Sequence, residues 1–133
     1  MSIPIIVAQV VLGLLFFLIG SMSIAGMKPL VENFRHFGYP QWFRVMTGSL
    51  EALGGAGLLV GIWIPVLAEL ASAGLALVML GAVFTHVRVR DPLKKATPAI
   101  VLGALASLVV ISYWPTFIPL LTSRLEKGMF PVK

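Results

Sequence analysis

The sequence predicts an all-α integral membrane protein, built as a four-helix bundle with a short interfacial helix in its first loop. Of its 133 residues, 59% are hydrophobic and only 11% are charged, whereas a soluble domain carries about 25% charged residues. The apolar residues form long uncharged runs, and the basic residues cluster between these runs. A chain this short cannot bury so much apolar surface in its own core, so lipid must be the solvent for most of it.

The uncharged runs are long enough for four membrane spans. A span needs about 20 residues at about 1.5 Å per residue. The first run is too long for the core of a signal peptide, so we expect it to be retained as a span. The predicted helices cover residues 4–25, 44–63, 66–87 and 97–114.

Prolines divide and end these helices. Pro65 predicts a tight hairpin between the second and third spans, and Pro98 suits the first turn of the fourth span. Pro115 and Pro119 are expected to end the fourth helix. The chain would then continue as a C-terminal tail over residues 122–133.

The first loop has a helical pattern of its own. Apolar residues at positions 30, 31, 34 and 37 follow helical spacing, and Gly38 and Pro40 follow them. The pattern predicts an amphipathic helix over residues 29–37 that lies on the membrane interface. His36 in this segment is expected to be solvated.

The distribution of basic residues predicts the orientation. Seven of the ten Lys and Arg residues fall in or beside the first and third loops. The positive-inside rule therefore places the loops 26–43 and 88–96 in the cytoplasm and both termini outside. The predicted location is the bacterial cytoplasmic (inner) membrane. The aromatic residues Trp63, Tyr113 and Trp114 would form a belt at the opposite interface.

Composition also excludes several function classes. Without cysteine the chain has no disulfide, thiolate metal site or iron–sulfur cluster. Its net charge of +5 comes from basic residues at the ends of apolar runs, which indicates membrane anchoring and not nucleic-acid binding. The sequence shows no catalytic triad, nucleotide loop or metal ligand set. We therefore expect no metal site and no enzyme activity of the chain on its own, and the sequence identifies no cofactor.

Ionisable residues inside a span indicate a functional site by default. Glu51 lies about 10 Å deeper than Arg44 along the second span, between Gly48 and Gly55. His86 is its expected partner, at a similar depth. The pair either fastens helices together or forms a ligand or proton site. The predicted polar cluster below the cytoplasmic loops contains Glu51, His86, Arg88, Arg44, Lys28 and Ser21, and a loop motif adds Asp91 and Lys94.

Several segments together carry a family resemblance over about residues 8–112. The segments are Leu12–Gly20, Gly26–Leu30, Phe37–Pro40, Gly48–Gly55 and His86–Lys94. In their order and spacing the chain resembles the DoxX-like family of four-helix membrane proteins. The glutamate, the histidine and the Asp-Pro-Leu-Lys pattern are also distantly similar to the nicotinic-receptor chaperone NACHO. The family positions that carry over are Lys28, Glu51, His86, Asp91 and Lys94.

The resemblance implies two kinds of function. Members of the family are associated with membrane redox complexes, including thiosulfate:quinone oxidoreductase, and others act as assembly factors. One hypothesis is an accessory protein that binds a partner membrane protein, a lipid or another hydrophobic ligand, with a homodimer as a further option because the spans are rich in small residues. The alternative is a quinone-binding subunit of a membrane oxidoreductase that uses Glu51 and His86. Transport of protons or small solutes is the third and weakest hypothesis.

Overall fold

A computed structural model describes residues 3–129, with side chains for residues 3–115 and 119. The predicted all-helical class is confirmed for this part of the chain. Four helices are long and one is short. They are α1 (Ile3–Ala25), α2 (Lys28–Phe37), α3 (Gln41–Val60), α4 (Pro65–Arg88) and α5 (Leu93–Met129).

Three of these helices are long and apolar enough to cross a membrane. Within the described residues they are α1, α4 and the part of α5 from Leu93 to Pro115. The chain is therefore a multi-pass membrane protein. Helix α3 falls outside this set because Arg44, Glu51 and its many glycines lower its hydropathy. The predicted bundle of four spans is accordingly not confirmed as a whole.

The predicted bounds of two helices are wrong. Helix α3 begins at Gln41, directly after Pro40, and ends at Val60, whereas the prediction was 44–63. Helix α5 begins at Leu93 and continues through Pro98, Pro115 and Pro119 to Met129, whereas the prediction was 97–114 and a tail over 122–133. A proline removes one backbone donor, and helices in apolar surroundings tolerate this where neighbouring groups satisfy the freed carbonyl. The last four residues of the predicted tail, 130–133, lie outside the described residues.

Helix α2 is set off from its neighbours by two glycines with left-handed backbone. Gly26 has φ 77° and Gly38 has φ 81°, a region that glycine enters without steric cost. Pro29 starts the helix, and the backbone N–H of Gly38 closes its last turn on the Arg35 carbonyl. The predicted helix over 29–37 thus forms, one residue longer at its start.

Helices α1 and α3 touch through their backbones. A Cβ atom at Gly55 would lie 2.5 Å from the Phe17 nitrogen and 2.6 Å from the Gly13 carbonyl oxygen. A Cβ atom at Gly20 would collide in the same way with Ala52 and Gly48. Lipid gives helices no hydrophobic drive to associate, so close contact of this kind supplies the packing energy.

Helices α3 and α4 form an antiparallel hairpin with a readable register. Gly57 faces Ala71, and Gly61 faces Ala68. Because the two helices run in opposite directions, each residue nearer the start of α3 lies opposite a residue nearer the end of α4. The apolar core lies along these contacts and those of α5, and its buried members are Leu12, Phe16, Leu58, Ala68, Leu75, Met79, Ala99, Ala106, Val109 and Tyr113.

A buried polar chain joins three helices at the end of the molecule opposite α2. Gln9 donates a hydrogen bond of 2.7 Å to the Leu58 carbonyl, and the Tyr113 hydroxyl donates one of 2.6 Å to Gln9 Oε1. Tyr113 is 3% exposed. Its predicted place in an interfacial belt is therefore wrong, because its hydroxyl finds its partner inside the protein.

The glycine contact between α1 and α3 gives a direct test. We expect Gly20→Ala to lower the free energy of unfolding in detergent by about 1–3 kcal/mol, the usual cost of overpacking. Gly74→Ala is the matched control, because a Cβ atom there meets nothing within 4 Å, and it should be neutral or stabilising by about 0.5–1 kcal/mol. Equal effects of the two substitutions, measured by denaturant titration, would show that the contact does not carry the packing.

Candidate functional site

A partly open cavity of about 720 Å³ lies between the helices, and all five contribute to its wall. We call it the main cavity. Its inner end is lined mainly by apolar side chains, among them Phe16, Val78, Met79 and Leu102, and Glu51 also lines the cavity. Its outer end lies beneath α2 and beside the start of α5, and carries aromatic and charged side chains. Ligand pockets in proteins commonly measure about 300–1,000 Å³ with mostly apolar walls and a few polar groups.

Asp91 joins two histidines at the outer end of the main cavity. Its Oδ1 accepts a hydrogen bond of 2.7 Å from His36 Nε2 on α2, and its Oδ2 accepts one of 2.7 Å from His86 Nδ1 on α4. The Asp91 side chain is 5% exposed, and that of His36 is 48% exposed. His36 was expected to be solvated, yet this contact ties α2 to the loop between α4 and α5.

The hydrogen bond from His36 holds the pKa of the Asp91 carboxyl below its ordinary value. Desolvation acts in the opposite direction, while the hydrogen bond from His86 and the charge of Lys95 lower the pKa further. A carboxyl whose pKa falls on folding stabilises the folded state at pH values above its unfolded pKa. This contribution is lost as the pH falls through the lowered, folded-state pKa.

A second set of contacts ties the segment after α2 to α4. The Thr85 hydroxyl donates to the Gly81 carbonyl, so the Tyr39 hydroxyl is the donor in its 2.8 Å hydrogen bond to Thr85 Oγ1. Arg88 donates to the Phe37 carbonyl, and its guanidinium lies 5.1 Å from the centre of the Tyr39 ring. The aromatic rings of Phe34, Phe37, Tyr39 and Phe43 pack against one another here and line the main cavity.

Glu51 is buried on the wall of the main cavity. The residue is 8% exposed, and its Oε2 atom has no hydrogen-bond partner among the described residues. Buried polar atoms are paired in the great majority of cases. A second buried carboxyl, Glu69, also has an unpaired Oε2, but it does not line this cavity.

Glu51 and His86 do not meet. Continuing the register of Gly61 with Ala68 and Gly57 with Ala71 places Glu51 opposite Val78 and His86 opposite Phe43. Val78 and His86 are eight residues apart, which is about 12 Å along a helix. The prediction of a similar depth is therefore wrong, although both side chains line the main cavity.

The other predicted residues fall into two groups. Lys94 lines the outer end of the main cavity with Asp91 and His86. The remaining four do not line it: Arg44 donates to the Ser23 carbonyl and to Gln41, Ser21 bonds the Phe17 carbonyl of its own helix, Lys28 is exposed, and Arg88 holds Phe37. The predicted cluster is thus divided, and only Glu51 and His86 of its six members face the cavity.

Sequence reasoning missed the contacts of His36 and Tyr39, although Thr85 was expected near the polar cluster. His36 stands in the last turn of α2, and its partner Asp91 follows 55 residues later, so no local pattern connects them. Within the described residues, no group of three or more His, Asp or Glu side chains is arranged to hold a metal ion. The two histidines and Asp91 instead form a chain of two hydrogen bonds.

Comparison with known proteins gives one family. The model of the DoxX-like family matches residues 7–109. The chain is also similar to the uncharacterized protein YdgD of Bacillus subtilis (strain 168), with 29% identity over 93 residues that cover 69% of this chain and 82% of that protein. No solved structure gives a significant match.

The Asp91 contact predicts how firmly α2 is held. We expect Asp91→Asn to lower the hydrogen-exchange protection of the amides in residues 28–37 several-fold near neutral pH, because both histidines lose their charged acceptor. In the unsubstituted protein the same protection should fall as the pH drops through the lowered pKa of Asp91, after correction for intrinsic exchange rates.

Glu32→Gln is the matched control for this prediction. It removes a carboxylate from the exposed side of the same helix, where no hydrogen bond to Glu32 is present in the described part of the chain. Equal protection of α2 in Asp91→Asn and in the control would contradict the role given to Asp91.

Proposed function

We propose that this chain, which belongs to the DoxX-like family, binds an amphipathic ligand from the bilayer in the main cavity. The observation that carries the proposal is the cavity itself, which has an apolar inner end and a polar, aromatic outer end. A bilayer amphiphile has the same division between an apolar body and a polar head. Its head would lie beneath α2 at the level of Asp91, and its body would extend toward Phe16.

An accessory role toward a partner membrane protein, or toward a second copy of the chain, is a separate proposal. The observation that favours it is an apolar groove of about 620 Å³ between α4 and α5, lined by small residues such as Ala73, Ala76 and Gly103. Small residues let a further helix approach closely. Cross-linking in native membranes separates this role from ligand binding, because only the accessory role requires a captured protein.

The quinone hypothesis does not persist in its predicted form. That form needs Glu51 and His86 at one quinone carbonyl, and a hydrogen bond spans only about 3 Å. Their levels on the helices differ by about 12 Å, and His86 is already bonded to Asp91, so no contact in the structure brings the two side chains together. We therefore do not propose a quinone-binding subunit on this pair, and the similarity to the receptor chaperone stays a prediction.

We also propose that α3 crosses the membrane as the fourth span of a bundle in the bacterial cytoplasmic membrane. In favour of this, α3 lies along α1 and α4, both of which have the length and hydropathy of spans. The loops 26–43 and 88–96 would then face the cytoplasm, and both termini the outside.

Cysteine labelling tests this topology, because the chain has no cysteine of its own. The single variants Glu32→Cys and Trp63→Cys place a thiol at either end of α3, on residues that are both exposed. An impermeant maleimide added to intact cells should label only the thiol of Trp63→Cys. Labelling of both thiols, or of neither until the cells are lysed, would mean that α3 does not cross.

Filling the cavity tests ligand binding. We expect Ala82→Phe to reduce the amount of amphiphile that co-purifies by roughly tenfold, since overpacking costs about 1–3 kcal/mol. Ala82 lines the main cavity, while the exposed Ala104 on α5 makes the same substitution available outside it. The measurement is mass spectrometry of extracted ligands, with thermal unfolding as the check on folding. If folded Ala82→Phe and Ala104→Phe carry as much amphiphile as the unsubstituted protein, the main cavity is not the binding site.

A further inference from the structure

Glu51 requires a partner that the described residues do not provide. Its Oε2 is buried without a hydrogen bond, and its level in the main cavity is formed by apolar residues such as Val78 and Met79. His86 is about two helical turns away by the register of α3 and α4. The missing partner is therefore expected from the occupant of the cavity.

The chemistry of this partner follows from its surroundings. A cation placed among apolar side chains in a membrane protein carries a large desolvation cost, whereas a neutral polar group carries much less. A hydroxyl both donates and accepts a hydrogen bond, so it can pair with a carboxyl in either protonation state. A hydroxyl is thus the group that fits the Glu51 site best.

The outer end of the cavity favours an acidic group. Lys94 and Lys95 line it, both are exposed, and neither side chain makes a hydrogen bond among the described residues. Asp91 is already engaged by His36 and His86. The two ammonium groups stand in the first turn of α5, which holds no acidic residue, and the N-terminal end of the helix itself attracts anions. The Asp91 carboxyl, two positions before the helix, interacts with the charge of Lys95.

We propose that the occupant of the main cavity is an acidic amphiphile with a hydroxyl group at mid-chain, its head on Lys94 and Lys95 and its hydroxyl on Glu51. The register of α3 and α4 sets the distance between the two polar groups of the ligand, because Glu51 lies about 12 Å from the level of His86 at the outer end of the cavity. This inference rests on the proposed function and adds to it the chemical class of the ligand.

Stearate and its hydroxylated isomers measure the spacing directly. The probes are stearate and three hydroxystearates, which carry the hydroxyl near the head, at mid-chain or near the tail. Binding is followed by displacement of a fluorescent fatty acid from the protein in nanodiscs. We expect the mid-chain isomer to bind about tenfold more tightly than stearate, as one well-made hydrogen bond to a carboxyl allows. Octadecyl phosphate tests whether a phosphate serves as the acidic head equally well.

Variants at each end assign the two contacts. Glu51→Gln keeps a hydrogen-bonding side chain and should retain most of the preference for the mid-chain isomer, whereas Glu51→Leu should abolish it. The double variant Lys94→Gln, Lys95→Gln should weaken all the acids by a similar factor and leave the preference unchanged. Unfolding curves in detergent confirm that each variant is folded, and Glu51→Gln remains informative if Glu51→Leu is not.

The outcomes separate this inference from the proposed function. If stearate and all isomers displace the fluorescent probe equally well, the main cavity still binds amphiphiles and the assignment of Glu51 is overturned. If the preference survives in Glu51→Leu, the hydroxyl lies elsewhere and the assignment is again overturned. If neither the fluorescent fatty acid nor any of the other acids binds to the protein, the acidic class is wrong, and only the co-purification of amphiphile then decides the proposed function.

Discussion

The close contact of α1 with α3 is the constraint on which the rest of the molecule depends. Helix α3 carries Arg44 and Glu51 and lacks the hydropathy of α1, α4 and the Leu93–Pro115 part of α5, so partition into lipid holds it less firmly than these segments. The glycines at 20 and 55 bring the two backbones together and fix both the rotation and the depth of α3. The depth of Glu51 in the main cavity follows from that contact, and so does the register of the α3–α4 hairpin. A shift of one helical turn would move the carboxyl by about 5 Å.

The two ends of the molecule satisfy their buried polar groups in different ways. At the end opposite α2, two consecutive hydrogen bonds, from Tyr113 to Gln9 and from Gln9 to the Leu58 carbonyl, join three helices. Such a fully satisfied network stabilises and specifies the packing. At the other end Asp91 closes a similar contact between His36 and His86, but Glu51 remains unpaired on a cavity wall. Glu69, near the start of α4 at the end opposite α2, also has an Oε2 atom without a partner among the described residues. The two carboxyls differ in that Glu51 lines the main cavity and Glu69 does not, and this difference underlies the functional proposal.

Local features of the fold could be predicted from the sequence, and long-range ones could not. Pro65 begins α4 and Gly38 ends α2 as expected, because both effects arise within one turn of the chain. The path of α5 through Pro115 depends on what surrounds the helix, which the sequence does not specify. Glu51 was identified as a buried carboxyl from its run of apolar neighbours. Its distance from His86 was misjudged, because depth was counted from Arg44 and from Arg88 separately, and only tertiary contacts fix how the two helices slide against each other. The bond between His36 and Asp91 spans 55 residues and left no signal in the sequence.

Helix α2 has a mechanical property that follows from its two flanking glycines. It is a helix of ten residues, and it is flanked by Gly26 and Gly38, whose backbone dihedral angles can change with little steric cost. Turning it outward changes a few dihedral angles at these glycines and leaves the hydrogen bonds inside the helix intact. The resistance comes from side chains, chiefly the His36–Asp91 bond and the packing of Phe34 and Phe37. Because α2 covers the outer end of the main cavity, an outward rotation of α2 would open that end without separating the long helices.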